Sequence, residues 1–247
     1  MRPVSKGTSP VPGDFPDYED AKPYLLARLG HFCSYSERRI TTNLAVEHIQ
    51  PKGLLQYAAM ERQWHNFLLG CVNCNSTKSR KDVTLALYYL PDRDNTFAAF
   101  DYLPDGTVQP KQGDQIGQNT LALTGLDKSI RQTFDENGKH VAMDRVGDRM
   151  EVWGIALETK ADLDAGNVTH ESVVKNAASS GFFSVWMKVF EGDVVTRQLL
   201  IDGFNGAHGY RGFAGTAKGC FDAHTQPVSP RPADGLPVNG LSGGGKI

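Results

Sequence analysis

Residues 33–78 read CSYSERRITTNLAVEHIQPKGLLQYAAMERQWHNFLLGCVNCNSTK, and this stretch decides the fold. It sets Cys33 ahead of the dipeptide Glu47-His48, then Asn66, then Cys71-x-x-Cys74-Asn75-x-x-Lys78. No other part of the chain carries a comparable density of chemically useful residues. Hydrolysis of a phosphodiester needs an activated water and a cation to hold the charge that builds on the phosphate and the leaving oxygen. A histidine near its ordinary pKa can take a proton from water at neutral pH. A hard divalent cation takes oxygen ligands, which Glu47 and the amide of Asn75 can supply. Neighbouring strand residues face opposite ways, so Glu47 and His48 can serve two jobs where the strand ends or bends. Pro51 and Gly53 mark such an end.

Taken singly, each residue has a plainer meaning. A Glu-His pair is usually a solvated strand end, and a lone Asn66 is a turn or cap residue. Cys71-x-x-Cys74 alone could be a redox pair or half of a zinc ribbon. Asn75 could cap a helix, with Lys78 and Arg80 on its solvated face. Their occurrence together, in order, favours the nuclease reading. The neighbouring His65 falls one residue off the pattern, and His140, His170, His208 and His224 have no motif around them.

In this order the chain resembles the HNH endonuclease superfamily. The wording CSYSERRI, EHIQPKG and W-x-N-F-L-L-G-C-x-N-C-N is similar to the PtuB-like HNH nucleases of the Septu anti-phage defence systems. The resemblance spans about a fifth of the chain. It implies His48 as general base, Glu47 as acidic metal ligand, and Asn66 as the central asparagine that fixes the imidazole through its other side. It implies Asn75 as the second metal ligand and Lys78 as the basic residue of the CN-x-x-K ending. By the same resemblance the catalytic ion is Mg2+ or Mn2+ and the products carry 5′-phosphate and 3′-hydroxyl ends. The default substrate is double-stranded DNA, with tRNA or single strands open, and the expected partner is a separate ATPase of the ABC/SMC-like type.

The family usually carries Cys-x-x-Cys before the catalytic strand, completing a four-thiolate structural zinc site with the later pair. Here the first pair reads Cys33-Ser34-Tyr35-Ser36, and Ser36 brings no thiolate. Cys33, Cys71 and Cys74 remain. His31 or a water could complete the shell, or zinc is weak or absent; Cys220 is too distant in sequence to recruit.

Formal net charge is −2 and the pI about 6.4, so the whole chain is no general binder of nucleic acid. The balance is uneven. Residues 28–81 hold eight Lys/Arg against three acids, a local excess of +5, which leaves −7 for the remainder. Phosphate contacts supply most sequence-independent affinity. Lys52, Lys78, Arg80 and Lys81 are the candidate nucleic-acid contacts, against the plainer alternative of a solvated basic face.

At 247 residues the chain can bury a real core, and 40% apolar with 22% charged residues is ordinary for a soluble protein. MRPVSKGTSPVPGDF has no apolar core of a signal peptide, and no stretch approaches the roughly twenty apolar residues of a membrane span. Three of four cysteines in metal-type spacing point to a reducing cytoplasm. No phosphate-cradling glycine loop is present, so any ATPase must be a partner.

The expected organisation is α+β: a ββα-metal core with a zinc-knuckle-like element inside a mainly helical shell. Residues 1–30 form an extended arm and a short helix, from about Asp17 to Leu29 and stopped by Gly30. The nuclease core runs over 31–82, with strands at Ala45–Ile49 and Phe67–Cys71, a long connection between them, and a helix from near Asn75. Residues 83–142 carry a hairpin around Leu103-Pro104-Asp105-Gly106. Residues 143–224 are helical. Val146, Met150, Trp153 and Leu157 form one stripe, Phe182, Val185, Trp186, Val189 and Phe190 another, and Val195–Ile201 a third helix. Both tryptophan-bearing stripes are expected in the core rather than at a docking surface. Residues 225–247 hold four prolines and five glycines and are expected to be a flexible tail. Two further functions stay open: a zinc-knuckle binding module without catalysis, and a subunit that docks a partner and is silent until assembly.

Overall fold

A computed structural model of the chain describes residues 1–128, 145–203 and 212–229. The chain is mixed α and β, with two small antiparallel sheets among helices. Strand β1 (Leu44–His48) pairs antiparallel with β2 (Phe67–Cys71), setting His48 opposite Phe67 and Leu44 opposite Cys71. Every residue of β2 is buried, which is why Phe67-Leu68-Leu69 is a continuous apolar run rather than an alternation. Helix α2 (Val72–Lys78) begins directly at the end of β2. Its cap is Cys71, whose sulfur accepts from the Cys74 amide, so the helix starts three residues before the Asn75 start expected from sequence.

The segment before β1 also differs from expectation. Asp17 caps a 3-10 turn, Tyr18–Ala21, which leads into α1 (Lys22–Leu29). Pro23 stands in the first turn of α1, where its missing amide hydrogen costs nothing, and Gly30 closes the helix at φ 75°. Residues 1–6 are not an arm. Met1, Arg2, Val4 and Lys6 are buried, and Val4 bridges to Thr216. The Lys6 ammonium, fully buried, pairs with Asp92 at 2.9 Å and donates to the carbonyls of His65 (3.1 Å) and Phe67 (2.6 Å). Arg93 meets the same Asp92 at 2.8 Å. A proline- and glycine-rich stretch carries no periodic signal, yet here it supplies a counter-charge to the polar ground beneath β2.

The hairpin forms as β3 (Phe100–Tyr102) and β4 (Val108–Pro110), with Gly106 at φ 78° in the turn. Helix α3 (Gln115–Thr124), capped by Asp114, follows it and packs on β4 and α2. Then come α4 (Arg145–Asp164), α5 (His170–Ser180), α6 (Phe183–Val189) and α7 (Val194–Asp202), with α4 against α6 and α5 against α7. Helices α3 and α5 were not individually foreseen. The Trp186 stripe is core as expected: Trp186 is fully buried and stacks on Phe190 at 6.0 Å.

The stripe on α4 is divided: Trp153 is partly buried and packs against the core as expected, and Val146 is half-buried, but the other two residues face outward. Met150 and Leu157 are more than half exposed, while Arg145, Arg149, Val152, Ala156 and Thr159 turn inward. The inward arginines cap loop carbonyls, Arg145 donating to Thr124 (2.9 Å) and Arg149 to Gly106 (2.7 Å) and Leu126 (2.5 Å). The expected tail begins inside the fold: Thr225 is buried and its carbonyl accepts from Arg197 at 2.5 Å, while Asn95 donates to the Val228 carbonyl at 2.9 Å. Residues 230–247, the boundary expected at 142, and His140 and His208 lie outside the described residues. Among the described residues no helix is long and apolar enough to cross a membrane.

The Cys33 turn is clamped to the helices by Glu37, which sits at φ 62° and is buried. Its carboxylate accepts from the Ser184 amide (3.2 Å) and hydroxyl (2.6 Å), and its carbonyl accepts from Phe182 N at 3.0 Å. Gly181 is required at this crossing, because a Cβ there would fall 2.8 Å from Glu37 O and Arg39 N.

Candidate active site and metal centre

His48 ends β1 and is 8% exposed. Its Nε2 lies 2.8 Å from the carbonyl oxygen of Glu61. A carbonyl only accepts, so Nε2 carries a hydrogen, and in the neutral ring Nδ1 keeps the lone pair. Among the described residues Nδ1 makes no hydrogen bond. The rings of Tyr18 and Phe67 meet the imidazole edge-on at 4.9 and 5.3 Å. Burial lowers the imidazole pKa below its ordinary 6.5, partly opposed by the Glu61 carbonyl. A buried, oriented and neutral imidazole can accept a proton at physiological pH.

Glu47 precedes it and is 2% exposed. Lys78, equally buried on α2, holds its ammonium 2.9 Å from Glu47 Oε1 and donates to the His48 carbonyl at 2.7 Å. Burial pushes the Glu47 carboxyl up, and the Lys78 charge pulls it back. Lys78 is therefore no phosphate contact, as the basic run had led one to expect: α2 packs on β1 and turns this side chain inward.

Asn66 does not reach the imidazole. Its Oδ1 accepts from Gln50 N at 2.8 Å, and its Nδ2 donates to the carbonyls of Gln50 (3.0 Å) and Met60 (3.3 Å). It fastens the two ends of the 51–65 connection, and the imidazole is oriented by that connection's Glu61. The positioning is indirect, where sequence reasoning had placed the amide on the ring itself.

The other basic residues divide. Lys52 pairs with the Glu61 carboxylate at 2.8 Å and lies 3.8 Å over the Tyr18 ring, yet remains partly exposed. Arg80 is exposed beside Gly53. Lys81 donates to the Ala122 carbonyl at 2.9 Å. Arg38 pairs with Asp148, and Arg28 donates to the carbonyls of Lys6 and Thr8. Much of the +5 excess of residues 28–81 is thus spent inside the molecule.

Asn75 stands one turn before Lys78 on α2, half-buried, and its side-chain amide makes no hydrogen bond among the described residues. Lys78 takes one oxygen of Glu47, and a carboxylate has two. By donor type alone, a carboxylate and an amide oxygen are the kind of ligands a Mg2+-like ion takes.

A second group is better defined. The sulfurs of Cys33, Cys71 and Cys74 all lie within 4.8 Å of one another and are buried. Amides point at them: Ser36 N and Cys71 N at Cys33 Sγ (3.5 and 3.4 Å), Cys74 N at Cys71 Sγ (3.4 Å). No disulfide forms. Contacts from the Cys33 and Cys74 thiols pull Cys71 well below the usual thiol value. Burial pushes Cys33 up, and its two sulfur neighbours push Cys74 up. Three thiols forced together, with amides aimed at sulfur, are chemically suited to a soft or borderline cation such as zinc. His31 is exposed and does not join the group, so it is not the fourth ligand considered from sequence. Among the described residues no other cluster of three or more His, Cys, Asp or Glu side chains forms.

Three residues around His48 were missed by sequence reasoning: Tyr18, Gln50 and Glu61. Glu61 acts through a carbonyl that every residue has, and Gln50 through its backbone, so side-chain chemistry gave no signal for them. Compared with protein-family models the chain matches none, and no curated protein matches it significantly.

Proposed function

We propose that this chain is a metal-dependent HNH-type endonuclease that hydrolyses phosphodiester bonds of DNA. The observation that carries this reading is His48, pinned through Nε2 to the Glu61 carbonyl with its basic Nδ1 left over, beside a buried carboxylate on the same strand. In the reaction His48 Nδ1 takes a proton from water. The resulting hydroxide forms the new bond to phosphorus, the P–O3′ bond breaks with its electron pair on O3′, and that oxygen takes a proton from solvent water, which leaves a 3′-hydroxyl and a 5′-phosphate. A divalent ion, Mg2+ or Mn2+, held by Glu47 and Asn75, would supply Lewis-acid stabilisation of the phosphate charge. Lys78 balances the Glu47 charge, and Asn66 and Glu61 fix the imidazole. Lys52 and Arg80, at the rim, would meet substrate phosphates.

A bacterial anti-phage role with an ABC/SMC-like ATPase as partner belongs to this proposal and rests on the family resemblance. One observation favours a second reading. Glu47 is nearly inaccessible and already paired, as expected of a site silent until a partner rearranges it. Supercoiled plasmid incubated with the purified chain separates the two. Nicking in Mg2+ or Mn2+ that leaves 3′-hydroxyl ends and stops with chelator supports the free enzyme. Nicking only after addition of the partner supports the silent subunit, and activity in chelator argues against both.

A further inference from the structure

Three sulfurs supply three corners of a tetrahedron, and a buried hydroxyl lies beside one of them. Ser36 is buried at 2% exposure. Its hydroxyl lies 3.9 Å from Cys71 Sγ, and its amide donates to Cys33 Sγ. With Zn–S near 2.3 Å and Zn–O near 2.0 Å, the S···O edge of a tetrahedral zinc site spans about 3.5 Å and the S···S edge about 3.8 Å. The hydroxyl at 3.9 Å lies within half an ångström of the S···O edge, and the sulfurs, all within 4.8 Å of one another, lie at most about 1 Å beyond the S···S edge. Ser36 is also placed by spacing: Cys33-x-x-Ser36 faces Cys71-x-x-Cys74 as one knuckle faces another. Among the described residues no histidine or carboxylate competes for the corner.

We propose that Cys33, Cys71 and Cys74 bind one zinc ion with the Ser36 oxygen at the fourth corner, making an exchangeable site rather than a permanent brace. A neutral hydroxyl is a poorer zinc donor than a thiolate, so the fourth bond is the weak one. The consequence reaches the site above. Cys71 closes β2 opposite the start of β1, and Cys74 lies in α2 one turn ahead of Lys78. Zinc occupancy therefore sets how firmly α2 holds Lys78 against Glu47. This inference concerns metal loading and does not require that the chain cleave DNA.

The test is competitive zinc titration of the full chain against a chromophoric chelator, with Co2+ absorption as a second readout and circular dichroism to verify folding. Wild type is expected to bind one zinc per chain. Ser36→Cys should tighten it at least a hundredfold and raise the Co2+ charge-transfer band in proportion to a fourth thiolate. Ser36→Ala should weaken it several-fold. A folded wild type that binds no zinc overturns the proposal. So does Ser36→Cys with unchanged affinity and an unchanged cobalt band, which would place Ser36 outside the shell. Failure of plasmid nicking leaves each of these outcomes as it stands.

Discussion

At the scale of single residues, the site depends on which partner each side chain takes. Burial lowers the His48 pKa and so favours the neutral imidazole, with the Glu61 carbonyl and carboxylate opposing it, which suits the proposed base. A lowered folded pKa places the midpoint of protonation, and so of loss of the base, below the ordinary 6.5. The acid limb of a cleavage pH profile should therefore have its midpoint below pH 6.5; a midpoint above it would contradict the assignment. Lys78 gives a stability prediction. Lys78→Met leaves Glu47 buried without a counter-charge and should cost about 3–5 kcal/mol in urea unfolding. Glu47→Gln in the same background should recover much of that loss. The residues legible in sequence were those whose chemistry is rare, the histidine, the carboxylate and the thiols. Asn66 and Lys78 were legible as members of the pattern but not in their contacts. A side chain's type does not say whether it meets an imidazole, a backbone amide or a carboxylate.

At the scale of elements, β1 and β2 were readable because buried strands leave a local mark, the Phe67–Cys71 run, whereas α2 (Val-Asn-Cys-Asn-Ser-Thr-Lys) is built mostly of weak helix formers and was expected from the family pattern. The start of α2 was misplaced because Cys71 caps it with sulfur, a residue outside the usual capping set. Helix α4 shows the other limit. Its apolar stripe was real, but the buried face is the one carrying Arg145 and Arg149, whose guanidinium groups satisfy loop carbonyls that no periodicity reveals. The close pairing of β1 and β2 yields a further test. A Cβ at Gly70 would fall 2.9 Å from Glu47 Cβ. Gly70→Ala should therefore destabilise by about 1–3 kcal/mol and displace Glu47. The measurements are the melting temperature together with cleavage, and an unchanged melting temperature would show that β1 yields freely at this point.

At the scale of the whole molecule, two buried ionic groups tie distant segments together. Glu37 joins the cysteine turn to α6 through Ser184, and Asp92 gathers Lys6 and Arg93 beneath β2. Neither could be read from sequence, since partners 147 and 86 residues apart leave no spacing signal. Burial alone would raise the Asp92 carboxyl, but Arg93 and Lys6 outweigh it and hold the group below its usual 3.8. A depressed folded pKa contributes stability that is present above 3.8 and lost as pH falls through the folded value, so this group predicts acid unfolding only below that point. Asp92→Asn strands two buried cations and should cost about 3–5 kcal/mol at neutral pH, read by denaturant midpoint. A midpoint within error of wild type would show that the triad is not held as described.

The central claim is that His48 is the base that activates water, and the rate of plasmid nicking by His48→Ala relative to wild type, at pH 7.5 in Mn2+, tests it most directly. The expected loss is about 10²–10⁴-fold with the melting temperature preserved. Equal rates for the two proteins would contradict it.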